Sequence, residues 1–561
     1  MKSYQKIYTW FAFILPVALL SACSEDFLER PPKDSIVDAG FYQTDDQVLA
    51  STALLYSKVW FDYNDKASYN LGDFRAGTAF SAWNDRGNVL FNTTGNTPEN
   101  GSSWRSFFIV VGQSNLAIQN INKYAGPAVS PAIKKHAIAE ARFMRALAYR
   151  FLVMNWGAVP VIENNLELLA DTTVQRNTPE SVWKFITSEM RQVAEDLPET
   201  PVRSGRITKW SAEGMLARFY LTRSGVEAGG SGNRNQAFLD SAKYYAERVI
   251  TTSGASMVGK YSDLFLYPYD NNPESLFSLQ WVYSPGAWGT QNSTPAYLAY
   301  SSDIANGDGW GGDKSATFWM MKQYEGIKQT SETVLQGRTL DQRLKATFML
   351  PGASYPEITQ TIPGGTQKLI FPFTGSDNNF LSIKKYITGK AADVGGQAAQ
   401  QNYGNDTYMM RLAEMYLVYA EAVMGNAAST SDAKALAYFN KVHTRAGLSP
   451  VTGALTFDMI FKERIVEFAM EGMAWYDLVS LHYYNAAKAY AILNEQDRGL
   501  FFTKPDQFPD PTSWTFTKTS WVAVTDRMIN ANSGNFLLPI PSAELSQAPN
   551  LQKPAVDYYS K

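Results

Sequence analysis

The sequence predicts a mainly α-helical protein, built of stacked helical hairpins that carry an irregular, loop-rich and aromatic-rich lobe. Three observations predict it. Helix-start signals recur ahead of long apolar periodicities, as at Ser130-Pro131 and Thr178-Pro179. Two stretches, about 60–105 and 257–400, instead interleave Gly, Asn, Asp, Pro and Ser with aromatics. The balance of 45% hydrophobic against 18% charged residues is that of an ordered globular chain. At 561 residues the chain exceeds one compact core of ordinary size, so one elaborated domain or two to three lobes is expected.

The helices follow in order. Asp45 and Asp46 open "DDQVLASTALLYSKVWF", where acids suit the positive end of a helix. Val48, Thr52, Leu55, Tyr56 and Val59 then recur at helical spacing. Ser130 as N-cap and Pro131 as first helical residue begin a helix reaching about residue 155. Thr178-Pro179-Glu180 repeats the signal for a helix through Asp196. Further helices are expected at about 209–224, 236–253, 407–425, 431–446 and 457–482. Successive helices joined by short turns read as tetratricopeptide-like hairpins, although no exact self-similarity of about 34 residues is present. The polar, aromatic-rich stretches read as loops and short strands, where functional residues concentrate.

The N-terminus reads as an address. "MKSYQKIYTWFAFILPVALLSAC" has basic Lys2 and Lys6, an apolar stretch from Tyr8 to Leu20, and small Ser21 and Ala22 before Cys23. That is the layout of a secretory signal peptide. Cys23 is the only cysteine, which excludes an internal disulfide. Leu20-Ser21-Ala22-Cys23 also resembles the bacterial lipobox, which implies cleavage before Cys23 and acylation of it. Ser24-Glu25-Asp26 resembles the acidic export signal of surface lipoproteins in Bacteroidetes-type bacteria. The expected organisation is a signal peptide (1–22), an anchor and tether (23–40), a helical region (41–256), a capping lobe (257–400) and a second helical region (401–561). No later apolar run is long enough to span a membrane.

Charge narrows the function classes. Without the first 22 residues, 48 basic groups face 53 acidic ones. Binding to nucleic-acid phosphates needs clustered Lys and Arg, so a broad nucleic-acid surface is not expected. The outlier is aromatic content: 14 Trp, 31 Tyr and 31 Phe, enough to serve both a core and a platform for flat ligands.

Several segments carry a family resemblance. "AEARFMRALAYRFLVMNWGAVPVI" (139–162), "RLAEMYLVYAEA" (411–422), "NKVHTRAGL" (440–448), "ERIVEFAMEGMAWYDLVSL" (463–481) and "FLLPIPSAEL" (536–545) resemble, in order, the signature segments of the SusD/RagB family. "DSIVDAGFYQTDDQVLAS" after the lipobox resembles its N-terminus. The chain departs at Ala474, where members usually carry Arg, and at His443, where they usually carry Arg or a similar residue; both positions look scaffold-like. The resemblance implies four tetratricopeptide-like helix pairs against a variable lobe. It further implies a lipid-anchored, outer-membrane nutrient-binding protein exposed at the cell surface, most often for glycans, acting as a hinged lid on a SusC-like TonB-dependent transporter.

Glu463, Glu467 and Glu471 fall at i, i+4 and i+8, so they are expected on one helix face as an ion-pair ladder rather than as an acid–base pair. Glu140, Arg142 and Arg145 read the same way. "GDGWGG" matches G-x-G-x-x-G at Gly307, Gly309 and Gly312 but lacks the preceding buried strand, so no dinucleotide site is read there. His136, His443 and His482 are scattered, and no metal or nucleophile motif accompanies them. No cofactor is expected; loops such as "DNNPES" (270–275) leave a structural calcium open, without EF-hand spacing.

The tryptophans sort by neighbourhood. Trp60, Trp104, Trp156, Trp183, Trp210 and Trp475 have apolar surroundings and read as core. Trp83 in "AFSAWNDRGN", Trp288 in "YSPGAWGTQN" and Trp310 in "NGDGWGGD" stand among turn formers and polar groups. An indole face suits the C–H face of a sugar ring, while neighbouring Asp, Asn and Arg suit its hydroxyls. These three are the candidate ligand residues, with Tyr283, Asp73 and Arg75 as weaker additions. The expected function is capture of oligosaccharide or polysaccharide without catalysis. A surface glycan-cleaving enzyme and a lid for another nutrient such as peptides are the alternatives.

Overall fold

The computed structural model describes residues 38–81, 85–166, 168, 173–286, 288–372, 381–518 and 527–560. Cys23, the signal peptide and Trp83 lie outside these residues.

Eleven helices frame the scaffold: α1 (Asp45–Ser51), α2 (Pro98–Tyr124), α3 (Pro131–Trp156), α4 (Pro179–Asp196), α5 (Lys209–Arg223), α6 (Gln236–Thr252), α7 (Leu412–Met424), α8 (Ala433–Arg445), α9 (Phe457–Glu467), α10 (Ala474–Tyr484) and α11 (Ala486–Asn494). From α2 to α8 each helix packs on the next in sequence, which is the arrangement of stacked hairpins. The starts follow the chemistry of the sequence. Ser130 Oγ accepts from Ile133 N, and Thr178 Oγ1 accepts from Ser181 N, each supplying an acceptor for an otherwise orphan N–H. Pro131 and Pro179 stand at the first helical position, where no N–H is needed.

Burial explains the order of the layers. The α3 helix is buried all round from His136 to Trp156 apart from Ile138 and Arg142, so it is central. In contrast, α4 buries Val182, Trp183, Ile186, Met190 and Val193 on one stripe and turns its charged residues outward. The six tryptophans expected in the core are all buried.

Three helices differ from expectation. The α2 helix lies partly inside a stretch read as irregular; Asn100, Gly101, Ser102 and Ser103 dilute the apolar periodicity of its first turns. The expected helix at 407–425 begins as a strand, Thr407–Arg411, because its Thr, Tyr and Met side chains suit a pleated pairing with Ser275–Leu279. The expected helix at 457–482 is two, α9 and α10, broken where Met470 has φ 62° and Gly472 has φ 69°.

A short strand, β1 (Ala79–Ser81), precedes α2, and the other strands fill the region between α6 and α7 and beyond α11: β2 (Ser275–Leu279), β3 (Lys314–Ala316), β4 (Ile327–Ser331), β5 (Val334–Arg338), β6 (Ser354–Ile362), β7 (Gly365–Ile370), β8 (Thr407–Arg411), β9 (Phe501–Pro505) and β10 (Ser513–Lys518). Antiparallel β2–β8 joins this region to the scaffold directly ahead of α7. Strands β9, β10, β5 and β4 form an antiparallel sheet in that order, and β6–β7 is a separate hairpin.

Asp73 and Arg75 are corrected by the structure. Both are buried and held within the protein, chiefly by backbone groups. Asp73 accepts from Met470 N at 2.7 Å, Gly472 N at 2.8 Å and Thr78 Oγ1 at 2.9 Å, tying the 70s to the α9–α10 break. Arg75 Nη2 donates to the carbonyls of Asn535 and Phe536 and its guanidinium lies 4.7 Å from the Trp475 ring centroid. The carboxylate and guanidinium read as hydroxyl binders hold the chain's C-terminal part instead.

Candidate ligand-binding face

After Trp60 the chain runs helically through two π-helical turns, Tyr63–Ala67 and Asn70–Phe74. Such turns are rare and shift the helix face, which re-aims side chains. Tyr63, Asn64, Ala67, Tyr69 and Leu71 enter the core, whereas Asp62 and Lys66 are exposed and Phe61 and Asp65 half-buried. The segment 288–298 packs on this run. Ser293 Oγ donates to Asp65 Oδ1 at 2.5 Å, Asn64 Nδ2 donates to Asn292 Oδ1 at 2.9 Å, and Tyr69 OH donates to Thr294 Oγ1 at 3.1 Å. Burial pushes the Asp65 carboxyl up, and the Ser293 hydroxyl partly offsets this.

Trp288 stands on the turn between Val282 and Thr290, closed by Val282 N donating to Thr290 O at 2.9 Å. Its ring is 61% exposed and packs edge-on against Phe61. Tyr283 occupies the same turn and is half-buried.

Trp310, 52% exposed, is held from behind by its backbone. Its N–H donates to Ala296 O at 3.0 Å and that of Gly311 to Ala299 O at 2.7 Å. A Cβ on Gly311 would lie 2.0 Å from Leu298 O, so only glycine permits this approach. Gly309 and Gly311 thus press the loop against the backbone of residues 298–302, and a three-residue strand rather than a helix follows it. Lys314 Nζ donates to Trp310 O at 3.0 Å and lies 4.3 Å from the Tyr297 ring centroid.

The flanks of Trp83 lead to the same place. Strand β1 pairs with β3, and Ser81 Oγ donates to Asp313 Oδ2 at 2.9 Å. On the other flank, Asp85 Oδ2 accepts from Tyr297 OH at 2.7 Å and Oδ1 from Asn70 Nδ2 at 2.9 Å. Burial pushes the Asp85 carboxyl up; the Tyr297 hydroxyl and Lys314 hold it back. Hydrogen bonds through residues 64–70, 292–297 and 310–314 therefore link the supports of Trp288, of Trp310 and of both sides of Trp83. Phe61 and Asp65 join this face unforeseen, because the stretch from about residue 60 reads in sequence as irregular rather than helical. A cavity of about 880 Å³ between residues 161–177 and 550–559 contains none of the candidate ligand residues.

The acidic ladder is elsewhere and closed. Glu463, Glu467 and Glu471 are 5%, 0% and 9% exposed. Arg343 Nη1 donates to Glu463 Oε1 at 2.6 Å; Arg411 donates to Glu467 Oε1 and to both oxygens of Glu471 at 2.7–2.9 Å; Arg445 also pairs with Glu467. Glu471 lies past the end of α9, so the three do not share one helix face; the chain reversal at Met470 brings it back to Arg411. Glu140 binds Arg206, and Arg145 binds Glu163 and Glu189, completing the scaffold pairing. Among the described residues no group of three or more His, Cys, Asp or Glu side chains is arranged to hold a metal ion, and no helix is long and apolar enough to cross a membrane.

Comparison with known proteins places this geometry. Residues 273–558 match the SusD family model, and residues 26–221 match a model described as starch-binding and associating with the outer membrane. A SusD-like protein of Bacteroides ovatus is 35% identical over 554 residues, 96% of each chain. Another, SusD-like protein P25 of Formosa agariphila, is 23% identical over 83% of this chain and 89% of its own. A solved structure with xylogluco-oligosaccharide is 33% identical, covers 92% of this chain and 99% of its own, and superposes with a TM-score of 0.78. Family match, full-length relatives and helical-hairpin architecture agree: the chain belongs to the SusD family.

Proposed function

We propose that the protein is a lipid-anchored, cell-surface glycan-binding protein that captures oligosaccharide and delivers it to a SusC-like TonB-dependent transporter without cleaving it. The observation that carries this reading is the pair of exposed indoles, Trp288 and Trp310, braced by one hydrogen-bonded core face. An exposed indole fixed by its neighbours is a flat apolar platform, and sugar rings offer a flat C–H face to stack on it. Membership in the SusD family and the relative solved with xylogluco-oligosaccharide support glycan as the ligand class. Committing Glu463, Glu467 and Glu471 to buried arginines supports binding without hydrolysis. Anchoring through Cys23 follows the lipobox reading, and Cys23→Ala is expected to release the protein from the membrane fraction while leaving ligand binding intact.

The test is affinity electrophoresis and calorimetry against a polysaccharide panel that includes xyloglucan and laminarin. Retardation of wild type, its loss in Trp83→Ala/Trp288→Ala/Trp310→Ala, and no release of reducing sugar are expected. Absence of binding to any polysaccharide, or binding unchanged in the triple variant, would overturn the reading.

A further inference from the structure

Arg150 on α3 is 2% exposed and has no hydrogen-bonded or ion-paired partner among the described residues. Its Nε and Nη1 are buried and unsatisfied, and only the faces of Phe151 and Tyr476, 5.1 and 4.7 Å from Cζ, approach it. A buried guanidinium without an acceptor is expensive, which is why buried Arg is almost always paired. Other buried arginines have acceptors: Arg343 and Arg411 each contact three carboxylates, and Arg75 and Arg498 donate to backbone carbonyls.

Arg150 lines a cavity of about 20 Å³ enclosed by α3, α5, α7, α9 and α10, together with Arg218, Glu414, Arg464, Tyr476 and Asp477. The carboxylates there are already taken. Glu414 pairs with Arg218 and, at 3.3 Å, with Arg464; Asp477 Oδ1 accepts from Arg464 at 2.7 Å. Glu421, also on the wall, pairs with Arg234 at 2.7 Å. The three carboxylates on the wall are thus taken by Arg218, by Arg464 and, from behind the wall, by Arg234, and Arg150 is left without one. Arg464 Nη1 adds another buried, unsatisfied N–H. Asp477 Oδ2, on the same wall, is buried and without a donor as well.

From a buried guanidinium left without a counter-charge of its own and a space of single-atom size, we infer that the core of the helical scaffold holds a monovalent anion, of the chloride class, on Arg150. The site is separate from the ligand-binding face and acts on the stability of the scaffold. A water molecule fits the same space but cannot neutralise the guanidinium. Larger oxyanions do not fit it.

Crystals of the wild-type protein soaked in bromide provide the direct test. An anomalous peak in contact with Arg150 Nε and Nη1 is expected; water density alone at that position would overturn the inference. In solution, replacing gluconate by chloride at constant ionic strength is expected to raise Tm by about 1–2 °C through preferential binding to the folded state. Arg150→Met keeps the packing volume and removes the charge, and is expected to abolish that increment. An increment that persists in Arg150→Met would equally overturn it, and the bromide result stands even if the variant fails to fold.

Discussion

Trp288 meets Phe61 edge-on, with ring centroids 5.4 Å apart at 66°, and still leaves 61% of its surface in solvent. Phe61 thus fixes the indole without covering it. Trp288→Ala is expected to lower glycan affinity at least tenfold, about 1.4 kcal/mol, read by calorimetry. Thermal stability should fall by only about 0.5–1.5 kcal/mol, the value of an aromatic pair at the surface. Phe61→Ala should weaken binding less, because it loosens the ring and removes no contact surface.

Asp73 tests the opposite assignment. Its carboxylate receives two backbone N–H groups from the α9–α10 break, yet burial outweighs them and pushes its carboxyl up to about 6. In Asp73→Asn, one amide N–H would face a backbone N–H. The variant is expected to lose about 1–3 kcal/mol in denaturant unfolding. Its glycan affinity should match wild type, and an affinity loss without a stability loss would restore Asp73 to the ligand site.

Glu467 makes stability depend on acid. Burial pushes its carboxyl up, but Arg445, Arg411 and Arg343 outweigh burial and hold it down to about 2. The folded value lies below the unfolded one, so the contribution is fully present above the unfolded pKa of about 4.3 and is lost as pH falls from there toward 2. Glu414, held at about 2 by Arg218 and Arg464 against burial, acts in the same window. Wild type should therefore melt progressively lower below pH 4.5. Glu467→Gln should be destabilised by about 3–5 kcal/mol at pH 7 because it leaves buried arginines uncompensated, and its acid limb should be shallower.

The scaffold was legible where local chemistry and packing agree. Ser130-Pro131 and Thr178-Pro179 mark starts that the structure keeps, and α3 ends one residue from the expected position. Thr97-Pro98 is the same kind of signal ahead of α2, masked by the polar turn after it. At 407–411 a helical periodicity loses to a strand pairing 130 residues away in sequence, which no local pattern encodes. In the candidate site, exposure of Trp288 and Trp310 could be read from the turn formers around them. Burial of Asp73 and Arg75 could not, because their partners are the backbones of residues 470–472 and 535–536.

Gly72 and Gly472 mark the point where those distant segments touch. A Cβ on Gly72 would lie 2.4 Å from both Cα and C of Gly472 and 2.5 Å from its carbonyl oxygen. Gly472 in turn holds φ 69°, a conformation that a β-carbon penalises, and its N–H is the one Asp73 accepts. Backbone meets backbone here, so no side chain can rotate away to admit a methyl group. Gly72→Ala must separate the π-helical run from the α9–α10 break, and overpacking of this kind is expected to cost about 3 kcal/mol. The measurement is a urea-midpoint shift with unchanged slope. Because the helical run that contains these π turns also carries Phe61 and Asp65, the same variant should weaken glycan binding with Trp288 intact, while Gly101→Ala in α2, where a Cβ meets nothing within 4 Å, should leave binding unchanged and raise stability by about 0.4–1 kcal/mol.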